Sequence, residues 1–170
     1  MIRSILHYPD KRLREVGKPV TDFGAKFQAL VDDMAETMYA APGVGLAATQ
    51  IGECVQLFVI DIAGEDEPSD LRIFANPKIV TKDGEVSWKE GCLSFPGATE
   101  EIYRAESVTV QAQDRNGRAF ELSTDGLLAI AIQHEFDHLQ GTLMIDRIGP
   151  LKKRLLHRKM VKRAEEDARP

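Results

Sequence analysis

The middle of the chain constrains the fold most. Between residues 55 and 122 the apolar stretches are short, rich in β-branched or aromatic residues and closed by turn formers, whereas helical spacing occurs only outside this region. Val55-Gln-Leu-Phe-Val-Ile-Asp-Ile62 reads as a largely buried strand. Residues 71–75, 78–81 and 85–88 read as shorter strands, with Asn76-Pro77 as a turn between the first two. Residues 107–113 alternate through Val108, Val110 and Ala112, a return strand holds Phe120 and Leu122, and Asp114-Arg-Asn-Gly117 is the hairpin turn between them. On either side the period changes. Phe27, Leu30, Val31, Met34 and Met38 form one face of a helix over 25–40 that Ala41-Pro42-Gly43 ends. A second helix starts at Thr124 or Asp125 and runs to about Gln140, where Gly141 suits its stop. Pro150 opens a third, very basic helix. Clustered strands framed by three helices predict an α+β fold: mixed or antiparallel strands around a central helix, with an N-terminal and a C-terminal helix.

At 170 residues, with 43% hydrophobic and 29% charged side chains, the chain is one domain's worth of ordinary globular sequence. No apolar run approaches the ~20 residues of a membrane span, so no membrane partner is expected. The start, Met1-Ile-Arg-Ser-Ile-Leu-His-Tyr-Pro-Asp10, turns polar too soon for a signal peptide, and a cytoplasmic address is the expectation. The charge is unevenly spread. Residues 1–150 carry 14 basic and 24 acidic side chains, whereas residues 151–170 carry 8 and 3.

Within the second helix lies Gln133-His-Glu-Phe-Asp-His138. His134 and His138, four apart, stack on one helix face and can grip one ion, while Glu135 can reach a metal-bound water without being a ligand. Leu127, Ile130 and Ala131 lie on the His134 side, which places the imidazoles at the apolar face, where they need a partner. A His-x-x-x-His pair alone also fits an ordinary amphipathic helix; the intervening glutamate makes the site reading the better one. A catalytic metal usually has three protein ligands, so a third is needed. Glu165 or Glu166 would serve a zincin-type peptidase, but both sit in the basic tail, which reads as solvent-facing. Cys92, in Glu90-Gly-Cys-Leu-Ser-Phe-Pro-Gly97, would give a Cys-His-His set suited to zinc or ferrous iron. Cys54 reads as core.

A third segment, Gly43-Val-Gly-Leu-Ala-Ala-Thr-Gln-Ile-Gly52, allows close backbone approach but lacks the Lys-Ser/Thr of a phosphate loop and the spacing of a dinucleotide fingerprint. Its one strong polar side chain is Gln50. A buried amide there can donate to a substrate oxygen or simply bond nearby backbone.

These three segments together resemble the three motifs of the peptide deformylases, in order and spacing, and the flanking chain from roughly Ile5 to Arg147 is also similar. The resemblance implies an enzyme that removes the formyl group from the initiator methionine of nascent chains and releases formate. It implies Cys92, His134 and His138 as ligands of one divalent metal ion, ferrous iron in cells with zinc, nickel or cobalt as substitutes. Glu135 becomes the general acid/base for a metal-activated water attacking the formyl carbon, and Gln50 with the Leu93 N–H becomes the oxyanion site. Gly45 resembles a position whose backbone contacts substrate, and Val44, Trp88, Leu127, Ile130 and Ala131 become a wall for the methionine side chain. Many family members carry an arginine a few residues after the second motif; Gly97-Ala-Thr-Glu-Glu101 has none.

Two competing readings are a zincin-type metallopeptidase and a ribosome-associated binding domain that keeps a metal only for stability. Residues 1–149 are expected to form a single catalytic domain, and residues 150–170 an appended basic helix. Leu151, Leu155 and Met160 give that helix a docking stripe, and its Lys and Arg side chains offer contact with ribosomal RNA. A monomer is the default expectation.

Overall fold

Seven strands and three helices follow one another in the computed structural model, which describes residues 1–170. Helix α1 spans Ala25–Ala40. Then come β1 (Gly45–Ala47), a 3-10 turn over Ala48–Ile51, β2 (Leu57–Ile60), β3 (Arg72–Asp83), β4 (Val86–Gly91) and β5 (Thr99–Arg104). The chain closes with β6 (Ser107–Gln113), β7 (Ala119–Asp125), α2 (Gly126–Leu139) and α3 (Pro150–Asp167). One sheet has the order β1-β2-β3-β6-β7, a second is the β4-β5 pair, and every ladder is antiparallel. The fold is therefore α+β with antiparallel sheets; the only parallel pairing is an isolated bridge between Lys18 and Val55.

The large sheet lies between α1 and α2. On one face Phe58, Ile60, Phe74, Val108 and Val110 pack with Leu128, Ala129, Ile132 and Leu139 of α2. On the other, Leu46, Leu57, Val59 and Ala75 pack with Phe27, Val31, Met34 and Met38 of α1. That double cover is why all four residues of β2 are buried, with no polar face in alternation. A third cluster joins Ile102 of β5 and Phe95 to Leu13, Leu143, Ile145 and the α3 residues Leu156 and Met160. It packs the second sheet against α3, the turn that precedes it and the N-terminal segment.

Four expectations change. Asn76-Pro77 is not a turn: β3 runs through it as one strand, with a register shift between Ala75 and Lys78. The bulge suits both residues, because Pro77 has no N–H to give a ladder and Asn76 adopts a left-handed φ of 49°. The Asn76 amide compensates by accepting from the Val20 N–H (2.8 Å) and donating to the Val20 carbonyl (2.9 Å) and to Gln113 Oε1 (2.6 Å). Strands β1 and β5 add to those read from the pattern, the first too short and the second too charged to signal itself. Asp125 precedes α2 but makes no capping bond, since β7 passes directly into the helix through Gly126 at φ 62°. The tail stripe is also different. Met160 is buried together with Leu156, whereas Leu151 and Leu155 project outward, 66% and 54% exposed. At about 100° per residue, positions 151 and 155 lie on the far side of the helix from 156 and 160. No helix is long and apolar enough to cross a membrane.

Candidate metal centre

Helix α2 carries Gln133, His134, Glu135, Asp137 and His138, all buried. Burying so many polar groups on one helix is unfavourable unless each finds a partner. Gln133 finds backbone: its Oε1 accepts from the Ala105 N–H (3.0 Å) and its Nε2 donates to the Ala105 carbonyl (2.9 Å). His134 finds a carboxylate, with Nδ1 2.7 Å from Glu90 Oε1 at the end of β4. Glu90 in turn accepts from Arg104 Nε (2.5 Å) and Nη2 (2.9 Å), while Arg104 Nη1 donates to Asp137 Oδ2 (2.9 Å). Arg147 closes the chain from the surface by donating to Asp137 from Nε (3.1 Å) and Nη2 (2.8 Å). The result is a continuous ionic chain, Arg147–Asp137–Arg104–Glu90–His134. It orients the His134 ring through one nitrogen and leaves the other for a ligand role.

That free side of His134 meets Cys92 and His138. One ligand atom from each of Cys92, His134 and His138 lies within 4.8 Å of the other two, and Cys92 Sγ stands 3.4 Å from His138 Nε2. A thiolate with two imidazoles is a donor set for a borderline divalent ion such as zinc or ferrous iron, and three ligands leave a fourth position open for chemistry. Glu165 and Glu166 are exposed on α3 and take no part in this group.

Around the three ligands the environment divides sharply. Burial pushes the Glu135 carboxyl up to about 7, against the opposing pull of His134 and Arg104. Its Oε1 is buried without a hydrogen-bond partner. Burial also acts on Glu90, but the bonds from His134 and Arg104 outweigh it and hold that carboxyl below its ordinary value. For His134, burial favours the neutral ring, yet the proximity of Cys92 and Glu135 and the bond to Glu90 raise its pKa well above the usual histidine value. Burial and the neighbouring charges of His134 and Arg104 push His138 well below it.

The remaining candidates converge on the same place. A cleft of about 340 Å³ is lined by Val44, Gly45, Gln50, Trp88, Cys92, Leu93, Leu127, Ile130, Ala131, His134 and Glu135. His138 is buried and is not one of its lining residues. Gln50 Oε1 accepts from the Ala47 N–H (2.9 Å), which fixes the amide so that Nε2 donates to Ser94 Oγ (3.0 Å) and lies 3.7 Å from Cys92 Sγ. The Leu93 N–H, at the mouth of the same loop, donates to no group of the protein. Strand β1 is the edge of its sheet, and because Val44 O accepts from the Asp61 N–H, the alternation turns the N–H and carbonyl of Gly45 toward the free edge. A Cβ at Gly45 would stand 2.6 Å from Glu135 Oε2, so only glycine lets this strand come so near the carboxylate.

Sequence reasoning missed Glu90, Arg104, Asp137 and Arg147. The signal available was a buried histidine, which calls for an acceptor on its second nitrogen. Ser94, which receives Gln50, was also missed.

A family model described as polypeptide deformylase matches residues 2–154. The chain is 51% identical over 164 residues to a peptide deformylase of Chromobacterium violaceum, covering 96% of this chain and 97% of that one. It is 46% identical over 166 residues to peptide deformylase 1 of Shewanella oneidensis, covering 98% of each. A crystal structure of a peptide deformylase from Legionella pneumophila superposes with a TM-score of 0.92 at 48% identity, over 100% of this chain and 99% of that one. With three motifs meeting in one cleft and agreement over the whole length, the chain belongs to the polypeptide deformylase family.

Proposed function

We propose that this cleft removes the N-formyl group from the initiator formylmethionine of nascent peptides, with His134-Glu135-Phe136-Asp137-His138 acting as its metal-binding motif. The observation that carries the reading is the meeting of the Cys92-His134-His138 group with an unpartnered, buried Glu135 carboxylate. Those three side chains would hold a divalent ion, which would supply the Lewis acidity that makes water a nucleophile near neutral pH. Glu135, with a pKa of about 7, accepts the proton of the attacking water. It then returns that proton to the amine as the formyl C–N bond breaks, which gives formate and a free N-terminus. Gln50 Nε2 and the Leu93 N–H donate to the formyl oxygen as negative charge grows on it; one such donor is worth about 3 kcal/mol. The free edge at Gly45 receives the extended peptide backbone. Val44, Trp88, Leu127, Ile130 and Ala131 form the wall for the methionine side chain, which selects it without a charged anchor.

Formate release from formyl-Met-Ala-Ser is the direct test. Cys92→Ala separates this reading from a zincin-type peptidase: metal content should collapse in the purified variant, and unchanged content would revive a ligand elsewhere. A binding domain that keeps metal only for stability would release no formate at all. We assign ferrous iron as the metal in cells, read out by elemental analysis after anaerobic purification.

Residues 1–149 act in this proposal as the catalytic unit of a cytoplasmic monomer, and residues 150–170 as an appended helix. The outer face of α3, with Arg154, Arg158 and Lys162 beside Leu151 and Leu155, is the surface for ribosomal RNA. Because Leu156 and Met160 anchor α3 to the body, charge reversal of those three residues tests it better than truncation. Ribosome affinity should fall and lose its salt dependence while formyl-Met-Ala-Ser is still processed; unchanged affinity rejects it.

A further inference from the structure

Gln50 and Leu93 reach the cleft from different sheets. Gln50 sits in the 3-10 turn after β1 of the five-stranded sheet, and Leu93 follows β4 of the two-stranded one, so no strand ladder sets their spacing. The N-terminal segment bridges them. The Leu6 N–H donates to the Gln50 carbonyl (2.7 Å), and the Tyr8 N–H donates to the Ser94 carbonyl (2.9 Å). Gln50 Nε2 donates to Ser94 Oγ (3.0 Å), which joins the two acceptor residues to each other. Leu6, Gln50, Ser94 and Tyr8 thus close a ring of three hydrogen bonds, and its two acceptor residues, Gln50 and Ser94, are buried. A primary amide carries two N–H groups at a fixed angle. With Oε1 held by the Ala47 N–H and one N–H held by Ser94 Oγ, the plane of the Gln50 amide is set. The other N–H is left for the side of the cleft marked by Cys92 Sγ, 3.7 Å from Nε2. Tyr8 is in turn tied down by its own side chain. Its ring stacks on fully buried Phe95, the residue after Ser94, with centroids 5.0 Å apart, and its hydroxyl lies 2.6 Å from His157 Nδ1 on α3.

We infer that Tyr8 is a positioning residue for the reaction: acting through Ser94, it sets where the Gln50 amide meets the charge that grows on the formyl oxygen. Tyr8 lies outside all three motifs, and it neither lines the cleft nor belongs to the ligand group. The inference rests on the oxyanion role assigned above to Gln50 and the Leu93 N–H. It adds the device that holds the first of these donors in place against the second. A donor aimed at charge that develops only in the transition state works best when it need not reorganise. Misplacing such a group by about 1 Å can cost about 10²-fold in rate. The peptide itself is still held at the Gly45 edge and along its side-chain wall when the ring is loosened. The loss therefore belongs to kcat and not to KM.

Formate release from formyl-Met-Ala-Ser by metal-loaded enzyme, measured as kcat and KM separately, is the test. Gln50→Ala should lose about 10²–10³-fold in kcat. Tyr8→Ala should lose about 10–10²-fold in kcat at an unchanged KM. Tyr8→Phe keeps the ring over Phe95 and drops only the bond to His157, so it should recover most of that loss. Ser94→Ala cuts the same ring at its other link and should reproduce the loss in kcat alone, which keeps the inference open to refutation if Tyr8→Ala folds poorly. In a Gln50→Ala background neither substitution should cost much more, because residues that act through one group are not additive. By NMR of isotope-labelled protein, the Gln50 side-chain amide protons should exchange with solvent faster in Tyr8→Ala and Ser94→Ala than in wild type. A rise in KM at unchanged kcat overturns the inference. So does a fall in urea stability with kcat intact, or losses that simply add to that of Gln50→Ala. Normal kcat in Gln50→Ala alone would refute the oxyanion role beneath the inference, and a wild-type protein that releases no formate would refute the proposed activity itself.

Discussion

Glu90 and Glu135 are two carboxylates in the same cleft, 5% and 4% exposed, and they behave in opposite ways. Glu90 receives two bonds from Arg104 and one contact from His134, and it is held in its charged form. Glu135 has an oxygen with no partner and is pushed up to about 7. Burial is therefore not what distinguishes them; hydrogen-bond supply is. The fully satisfied carboxylate cannot exchange a proton near neutral pH and serves to orient His134. The undersupplied one is poised to take and return a proton, which is the division of labour that paired acidic groups show in enzymes.

The comparison breaks most visibly at its catalytic member. Glu135→Ala should retain the metal, because Glu135 belongs to no ligand group, yet turnover of a formyl-Met peptide should drop by about 10²–10⁴-fold. Equal metal content with near-normal formate release would show that Glu135 has no proton role.

The structural member breaks through its cation. Arg104→Met removes three charged hydrogen bonds and leaves buried Glu90 with His134 alone and Asp137 with the half-exposed Arg147 alone, which should destabilise the fold by about 3 kcal/mol. The midpoint of urea unfolding reads this directly. A loss under 1 kcal/mol would mean that water reaches Glu90 and that its low pKa has another origin. Metal affinity should fall as well, since His134 loses the acceptor that orients it.

How much of this was legible beforehand follows from where each signal is stored. His134, Glu135 and His138 lie within five residues on one helix; the four-residue spacing alone placed the two histidines on one face, with Glu135 adjacent to the first. Cys92 and Gln50 come from other elements, yet each sits in a short motif whose composition marked it. The ionic chain was illegible because its members meet only in three dimensions. Glu90 and Arg104 belong to paired strands of a hairpin, and Asp137 and Arg147 reach them from the helix and a later turn. In sequence they look like ordinary surface charges. Asn76-Pro77 misled for a related reason: a turn signature was absorbed as a bulge because Val20 and Gln113 satisfy Asn76 from outside its own strand. The tail stripe failed on phase. Leu151 and Leu155 share a face, but the body contacts the opposite one through Leu156 and Met160.

The same contrast should appear in the acid dependence of stability, with the smallest effect. Glu90 has a folded pKa below its unfolded value, so its contribution is fully present above the unfolded carboxylate range and is lost as pH falls through the folded value. Below about pH 4.3, where an unfolded glutamate binds its proton, the native state still resists protonation at Glu90. One such group adds at most about 1.4 kcal/mol per pH unit to the slope of unfolding free energy. Glu135 has the opposite sign. Raised in the fold, it opposes folding once the unfolded carboxyl ionises above about pH 4.3, and that penalty stops growing above about pH 7. Urea titrations of metal-free protein between pH 3 and 5 should therefore show a shallower slope for Glu90→Gln than for wild type, and a steeper one for Glu135→Gln. If both substitutions move the slope the same way, the two carboxylates are not held in opposite states, and the division of labour between them fails.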